Sequence, residues 1–185
     1  MTCIVGLVDN GAVWMGADSA GISDWFLRPV KAPKVFRNGD CLFGYTSSFR
    51  MGQLLEHALN IPDRDARSPL EAYLATEFVD AVRKCLKDGG YAKKKDEEES
   101  AGEFLVGIEG RLFCVCRDYC VSDYCVSENT AGFDAAGCGR ELALGVLSAT
   151  ASRPPRDRIL AALAAAEQFS AGVRGPFDVV ALTAS

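Results

Sequence analysis

The 185-residue chain has no apolar run approaching the roughly 18 residues that a membrane-spanning helix needs. It shows no basic stretch followed by an apolar segment and a cleavage site, so a secretory signal is not expected. Its glycines form neither a dinucleotide-binding fingerprint nor a P-loop, which argues against a nucleotide cofactor. It has one histidine, His57, inside a helical stretch, where it reads as incidental. Positive charge is also short. Twenty Lys plus Arg against 25 Asp plus Glu give a net charge of −5, so no general positive field awaits a nucleic acid or an anionic membrane.

What is present is ordinary globular material, 49% hydrophobic and 24% charged. The length suits a single domain over residues 1–185, able to bury roughly 70% of the surface its unfolded chain exposes. Eight cysteines are many for such a chain. Without a signal sequence, and at a size that needs no staples, they read as reduced thiols of a cytoplasmic protein. Four of them, Cys114, Cys116, Cys120 and Cys125, fall in FCVCRDYCVSDYC. Zinc sites favour two tight pairs separated by a longer loop, whereas this run reads as strands; a metal and a disulfide are the lesser alternatives.

Two apolar stretches, TCIVGLVD (2–9) and AVWMGADS (12–19), flank Asn10-Gly11, the dipeptide that favours a two-residue type I′ hairpin. KVFRNGDCLFGYT repeats the pattern around Asn38-Gly39. Helices are expected over 48–59 and 68–86, the second with one broad apolar face and Pro69 at its start. The charged, glycine-containing run 89–102 reads as an exposed connector. Then come a hairpin around Glu109-Gly110, one or two strands ending near Ala136, helices over 139–150 and 156–170, and a closing strand FDVVAL. Hairpins and helices in this order suggest α+β with antiparallel sheet, not alternating βαβ units.

The first hairpin has a chemical consequence. If Asn10 and Gly11 form the loop, Cys3 faces Asp18 and Thr2 faces Ser19. Asp18 then lies within one strand position of Thr2, although strict alternation puts the two on opposite faces. A shared site needs a bulge, a turn of the chain at Asp18, or side chains meeting at the strand end. A threonine hydroxyl becomes a nucleophile when a base takes its proton, and at a chain terminus its own α-amine can do so once Met1 is removed. A nearby lysine, held by an aspartate, favours the deprotonated forms. Lys31 and Lys34 are both available. Cys3 is the weaker nucleophile, since it points away from Thr2 on an alternating strand.

The segment TCIVGLVDNGAVWMGADSAG resembles the start of the proteasome β-subunit and HslV peptidase group, the amino-terminal nucleophile hydrolases that use threonine. It has their threonine, short strand, Asn-Gly turn, second strand and Gly-x-Asp. Thr2 matches the catalytic threonine, Asp18 the conserved aspartate and Lys34 the catalytic lysine, with separations that need no gaps. LFGYTSS resembles the strand-to-helix turn that supplies an oxyanion-hole amide, with Ser47 where the family carries glycine. AAGCGRELALGVL resembles the later Gly-Ser-Gly turn, with Cys138 in place of the auxiliary serine. AAAEQFSAG resembles the Asp-x-x-Ser-Gly segment, with Glu167 and Ser170 at its two matched positions.

The resemblance implies a four-layer α-β-β-α sandwich and a threonine peptidase that cleaves peptide amide bonds without metal or organic cofactor. It also implies a peptide or unfolded-protein substrate, self-assembly into a homo-oligomer such as stacked rings, and an ATP-dependent unfoldase as a partner. Two other readings stay open: an amidase of the same fold acting on small molecules, and a non-catalytic assembly subunit.

Overall fold

A computed structural model describes residues 2–23, 25–95, 98–100, 102–116, 121–123 and 131–183; for 93–95, 98–100 and 121–123 the description is of the backbone alone. In chain order the strands are β1 (Cys3–Asp9), β2 (Ala12–Ala17), β3 (Ala20–Ser23), β4 (Phe26–Pro29), β5 (Val35–Asn38) and β6 (Cys41–Tyr45). Helix α1 (Phe49–His57) follows. Helices α2 (Leu70–Tyr73) and α3 (Val79–Asp88) are joined by a π-helical turn at Leu74–Phe78. Next are β7 (Lys93–Lys95), β8 (Glu98–Ser100), β9 (Phe104–Ile108), β10 (Arg111–Val115), β11 (Val121–Asp123) and β12 (Phe133–Gly137). Helices α4 (Arg140–Ala149) and α5 (Pro155–Phe169) and strand β13 (Asp178–Thr183) close the chain.

Two antiparallel sheets form the centre, one ordered β12-β1-β2-β13 and the other β11-β10-β9-β6-β5. Alternation along β1 explains how they stack. Ile4 points into the layer between the sheets, with Val13, Met15, Val35, Leu42, Leu105 and Leu112. Cys3, Val5 and Leu7 point the other way, onto Ala143 and Leu147 of α4 and Ile159 and Leu163 of α5. The outer face of the second sheet, through Phe43, Phe104 and Phe113, packs on Leu54 and Leu55 of α1 and Val82 and Leu86 of α3. The result is an α-β-β-α sandwich of the N-terminal nucleophile hydrolase type, as expected. Among the described residues no helix is long and apolar enough to cross a membrane.

The hairpin arithmetic is met closely. Asp9 pairs with Ala12 and Ile4 with Ala17, and Asn10 and Gly11 both have positive φ, at 49° and 75°. Glu109 and Gly110 repeat this at 50° and 74°. The second hairpin differs by one residue: Asn38 pairs with Cys41, so Gly39-Asp40 is its turn. Asn38 remains in the strand because its amide donates to the carbonyls of Leu55 and Leu59, at 2.8 and 3.0 Å, at the end of α1. The β3–β4 hairpin was not anticipated. It carries little core, leaving Trp25 and Phe26 exposed. Within the charged connector, 93–95 pair with 98–100; the exposure expected for 93–101 lies outside the described residues, as do Cys120 and Cys125.

Candidate active site

β1 and β2 end side by side, and the chain leaves β2 at Ala17. Asp18 and Ser19 lie between β2 and β3, so the alternation that would send the Asp18 side chain to the helix layer ends with the strand. The Asp18 carboxylate accepts from the Cys3 N–H at 2.8 Å through one oxygen and from the Ala20 N–H at 2.7 Å through the other. Of the three ways in which Thr2 and Asp18 could share a site, the structure uses a turn at Asp18.

Lys34, one residue before β5, reaches into this corner and is 1% exposed. Its ammonium donates to Thr2 Oγ1 at 2.8 Å, to the Ala20 carbonyl at 2.8 Å and to the Asp18 oxygens at 3.2 and 3.1 Å. Burial pulls the Lys34 pKa below its ordinary value, and the neighbouring Asp18 carboxylate opposes that pull. The arrangement meets the usual rule for buried charge, which survives only when paired and fully hydrogen-bonded. Lys31 is exposed, so geometry selects Lys34. Cys3 is fully buried toward the helices, and burial, followed by the Asp18 charge, pushes its pKa up to about 12. That is the opposite of an activated thiol.

Thr2 is buried but borders a small cleft of about 90 Å³, with Ala20, Ile22, Lys34, Tyr45, Thr46, Ser47, Ser48 and Phe49 as its other walls. Ser48 caps α1 by accepting from the Arg50 N–H at 3.1 Å, so the turn before it presents the positive end of that helix to the cleft. Ser47 stands in this turn with φ +66°, a left-handed conformation that glycine adopts freely and serine does not. Its hydroxyl accepts from the Glu103 N–H at 3.2 Å and lies 3.1 Å from Thr46 Oγ1. These contacts hold a serine in a glycine conformation. Among the described residues no acceptor meets the Ser47 N–H.

On the other side of Thr2, Gly137 ends β12 at φ +92°. A Cβ there would sit 2.1 Å from the Thr2 carbonyl oxygen. That close approach lets the Cys138 N–H donate to the Thr2 carbonyl at 2.8 Å, with Cys138 Sγ 3.3 Å from the same oxygen. Ser170 Oγ donates to Cys138 Sγ at 3.4 Å. Glu167 is turned elsewhere. Its carboxylate accepts from the Gly175 N–H at 2.9 Å and lies 3.7 Å from the Arg174 guanidinium. The longer glutamate arm therefore serves the segment after α5, which also reaches the site through Ser19: its N–H donates to the Arg174 carbonyl at 2.8 Å and its hydroxyl to the Pro176 carbonyl at 2.5 Å.

Of the residues proposed from sequence, Thr2, Asp18, Lys34, Cys138 and Ser170 are linked directly, Ser47 shares the cleft, and Glu167 stands apart. The Ala20 carbonyl and the Glu103 backbone were missed. Both act through main-chain atoms, which leave no mark in residue type.

No protein-family model and no curated protein matches the sequence. Solved structures match over essentially the full chain. A Thiobacillus denitrificans BPH structure in complex with epoxomicin is 19% identical with a TM-score of 0.80, covering 100% of both chains. HslV from Trypanosoma brucei is 15% identical with a TM-score of 0.65, covering 98% of this chain and 99% of its own. Anbu, an ancestral beta-subunit from Yersinia bercovieri, is 14% identical with a TM-score of 0.66, covering 98% and 82%. At these identities the likeness shows the fold.

Proposed function

We propose that a chain with this fold and this corner of β1, β2 and β5 is a threonine-type hydrolase that cleaves peptide amide bonds. One observation carries the reading: a fully buried lysine donates to the hydroxyl of Thr2 while Asp18 and the Ala20 carbonyl fix its position. A buried ammonium is costly, and a structural threonine at a strand end has no need of one. A threonine that must lose its proton does, because a positive charge about 3 Å away favours the alkoxide.

In this mechanism Met1 is first removed, which frees the Thr2 α-amine. With an ordinary pKa of about 7.7–8.0 it is well placed to accept a proton near neutrality. The Thr2 hydroxyl proton passes to the amine as Oγ1 bonds to the substrate carbonyl carbon. The resulting oxyanion is met by the Ser47 N–H at the positive end of α1. The tetrahedral adduct collapses, the ammonium returns its proton to the departing amine, and an ester on Thr2 remains. Water, deprotonated by the same amine, attacks that ester and restores Thr2. Lys34 supplies fixed positive charge throughout, and Asp18 orients it. Homo-oligomeric assembly and an unfoldase partner belong to the same reading and rest on the resemblance alone.

The test is turnover of a fluorogenic peptide panel by protein whose mass shows that Met1 is absent. Activity lost in Thr2→Ala and in Lys34→Met, with both variants folded, is the expected result. Epoxomicin, which the Thiobacillus denitrificans protein binds, should protect the native chain against thermal unfolding and leave Thr2→Ala unaffected. Undiminished turnover by folded Thr2→Ala would overturn the reading.

A further inference from the structure

The strained Ser47 turn is closed locally by the Ser48 N–H, which donates to the Thr46 carbonyl at 2.7 Å, and is braced from outside its own loop. Its hydroxyl contact comes from the N–H of Glu103, and the Glu103 carbonyl accepts from the Thr46 N–H at 3.1 Å and from Thr46 Oγ1 at 2.9 Å. Gly102 packs so tightly on Ser47 that a Cβ would lie 2.7 Å from the serine's Cβ and Oγ. The backbone at 102–103 is thus the template on which residues 46–47 are moulded.

That template is itself fixed by the start of α4 and by the neighbouring strand β10. The Glu103 carboxylate accepts from the Arg140 guanidinium at 3.2 Å and from the Cys114 thiol at 3.8 Å. Arg140 opens α4, two residues after Cys138, and its other nitrogen lies 3.8 Å from the Asp134 carboxylate on β12. Asp134 is 2% exposed, and its second oxygen has no hydrogen-bond partner among the described residues. A buried carboxylate left half satisfied is expensive, and it keeps the guanidinium at the seam between the sheets. One chain of contacts therefore runs from the Cys138 turn, through Arg140 and Glu103, to the Ser47 turn on the far side of Thr2.

We propose that Glu103, locked by Arg140, is the positioning residue that keeps Ser47 in its left-handed conformation and so aims the Ser47 N–H at the developing oxyanion. The inference rests on the hydrolase reading above. A misplaced donor lowers transition-state stabilisation more than substrate binding. Glu103→Gln and Arg140→Gln should therefore lose about 10- to 100-fold in kcat with KM nearly unchanged. The decisive comparison uses Ser47→Gly, since glycine adopts this conformation without the steric cost that a serine must have offset. In that background Glu103→Gln should cost less than about 2-fold, because its target is gone.

Equal losses in the serine and glycine backgrounds, or no loss in either, would overturn the proposal. Amide hydrogen exchange at Thr46, whose N–H donates to the Glu103 carbonyl at 3.1 Å, gives a readout independent of catalysis. Glu103→Gln should accelerate it at least about 10-fold under conditions where global unfolding is unchanged. Unchanged exchange would refute the brace, whereas accelerated exchange in a protein with no turnover would refute the hydrolase reading and leave the brace standing.

Discussion

Replacing Lys34 with methionine removes the charge at the centre of the site while keeping much of the side-chain volume. The Asp18 carboxylate, its side chain fully enclosed, is then left without its lysine partner. Breaking a buried pair in this way costs about 3–5 kcal/mol. The lower end applies, because the Asp18 oxygens keep the N–H groups of Cys3 and Ala20. The Ala20 carbonyl and Thr2 hydroxyl each lose a donor as well, adding about 1 kcal/mol together. Lys34→Met should therefore destabilise the chain by about 4 kcal/mol, or roughly 8–16 °C in Tm for a domain of this size.

Asp18→Asn should cost less, because burial already draws Lys34 toward its neutral form, which keeps the Thr2 hydroxyl and Ala20 carbonyl as partners. The double variant should fall short of the sum of the singles by at least about 2 kcal/mol, read from urea denaturation midpoints at constant m. Additivity within about 0.5 kcal/mol would refute the claim that these groups form one buried ion pair.

Further outcomes follow from the same geometry. Burial raises the Asp134 pKa from 3.8 to about 6, with Arg140 and an Ala135 backbone hydrogen bond opposing and Glu103 adding to the rise. The folded chain thus binds this proton more tightly than the unfolded one, and the associated stability is lost as pH climbs through about 6. Relative to Asp134→Asn, the unsubstituted chain should lose about 2 kcal/mol between pH 4 and 7, and parallel stability profiles would contradict this. Gly137→Ala must adopt φ +92° and meet the Thr2 carbonyl, so it should cost about 3 kcal/mol or more. Gly11→Ala, at φ +75° but in open space, should cost only about 1 kcal/mol, and equal denaturation midpoints for the two would refute the close-approach argument. Cys138→Ser substitutes a stronger hydrogen-bonding group between the Thr2 carbonyl and Ser170, so kcat should rise; a loss of more than about 10-fold would contradict that role.

The sequence made legible whatever is written in side-chain type and period. Asn10-Gly11 fixed the register of β1 against β2, and with it the nearness of Thr2 and Asp18. The apolar runs located the helices over 68–86, 139–150 and 156–170 and the closing strand to within about two residues. Three things were hidden for physical reasons. The β3–β4 hairpin buries little, so it has no apolar pattern to betray it. The direction of the Asp18 carboxylate depends on where β2 stops, and no residue type marks that point. The divergence of Glu167 from Ser170 reflects one added methylene, which lets the carboxylate reach Gly175. Ser47 is the instructive case. Its departure from glycine could be read from sequence, but the contact with Glu103 that makes serine tolerable there crosses 56 residues of chain.

The central claim is that Thr2 becomes both terminus and nucleophile. Its most direct measurement is peptide mapping by mass spectrometry of fully active protein quenched during turnover of a slowly hydrolysed ester substrate. An amino-terminal peptide that begins at Thr2 and carries the acyl group on that residue is the predicted result. Active protein whose amino-terminal peptide keeps Met1, or an acyl group found on any other residue, would contradict it.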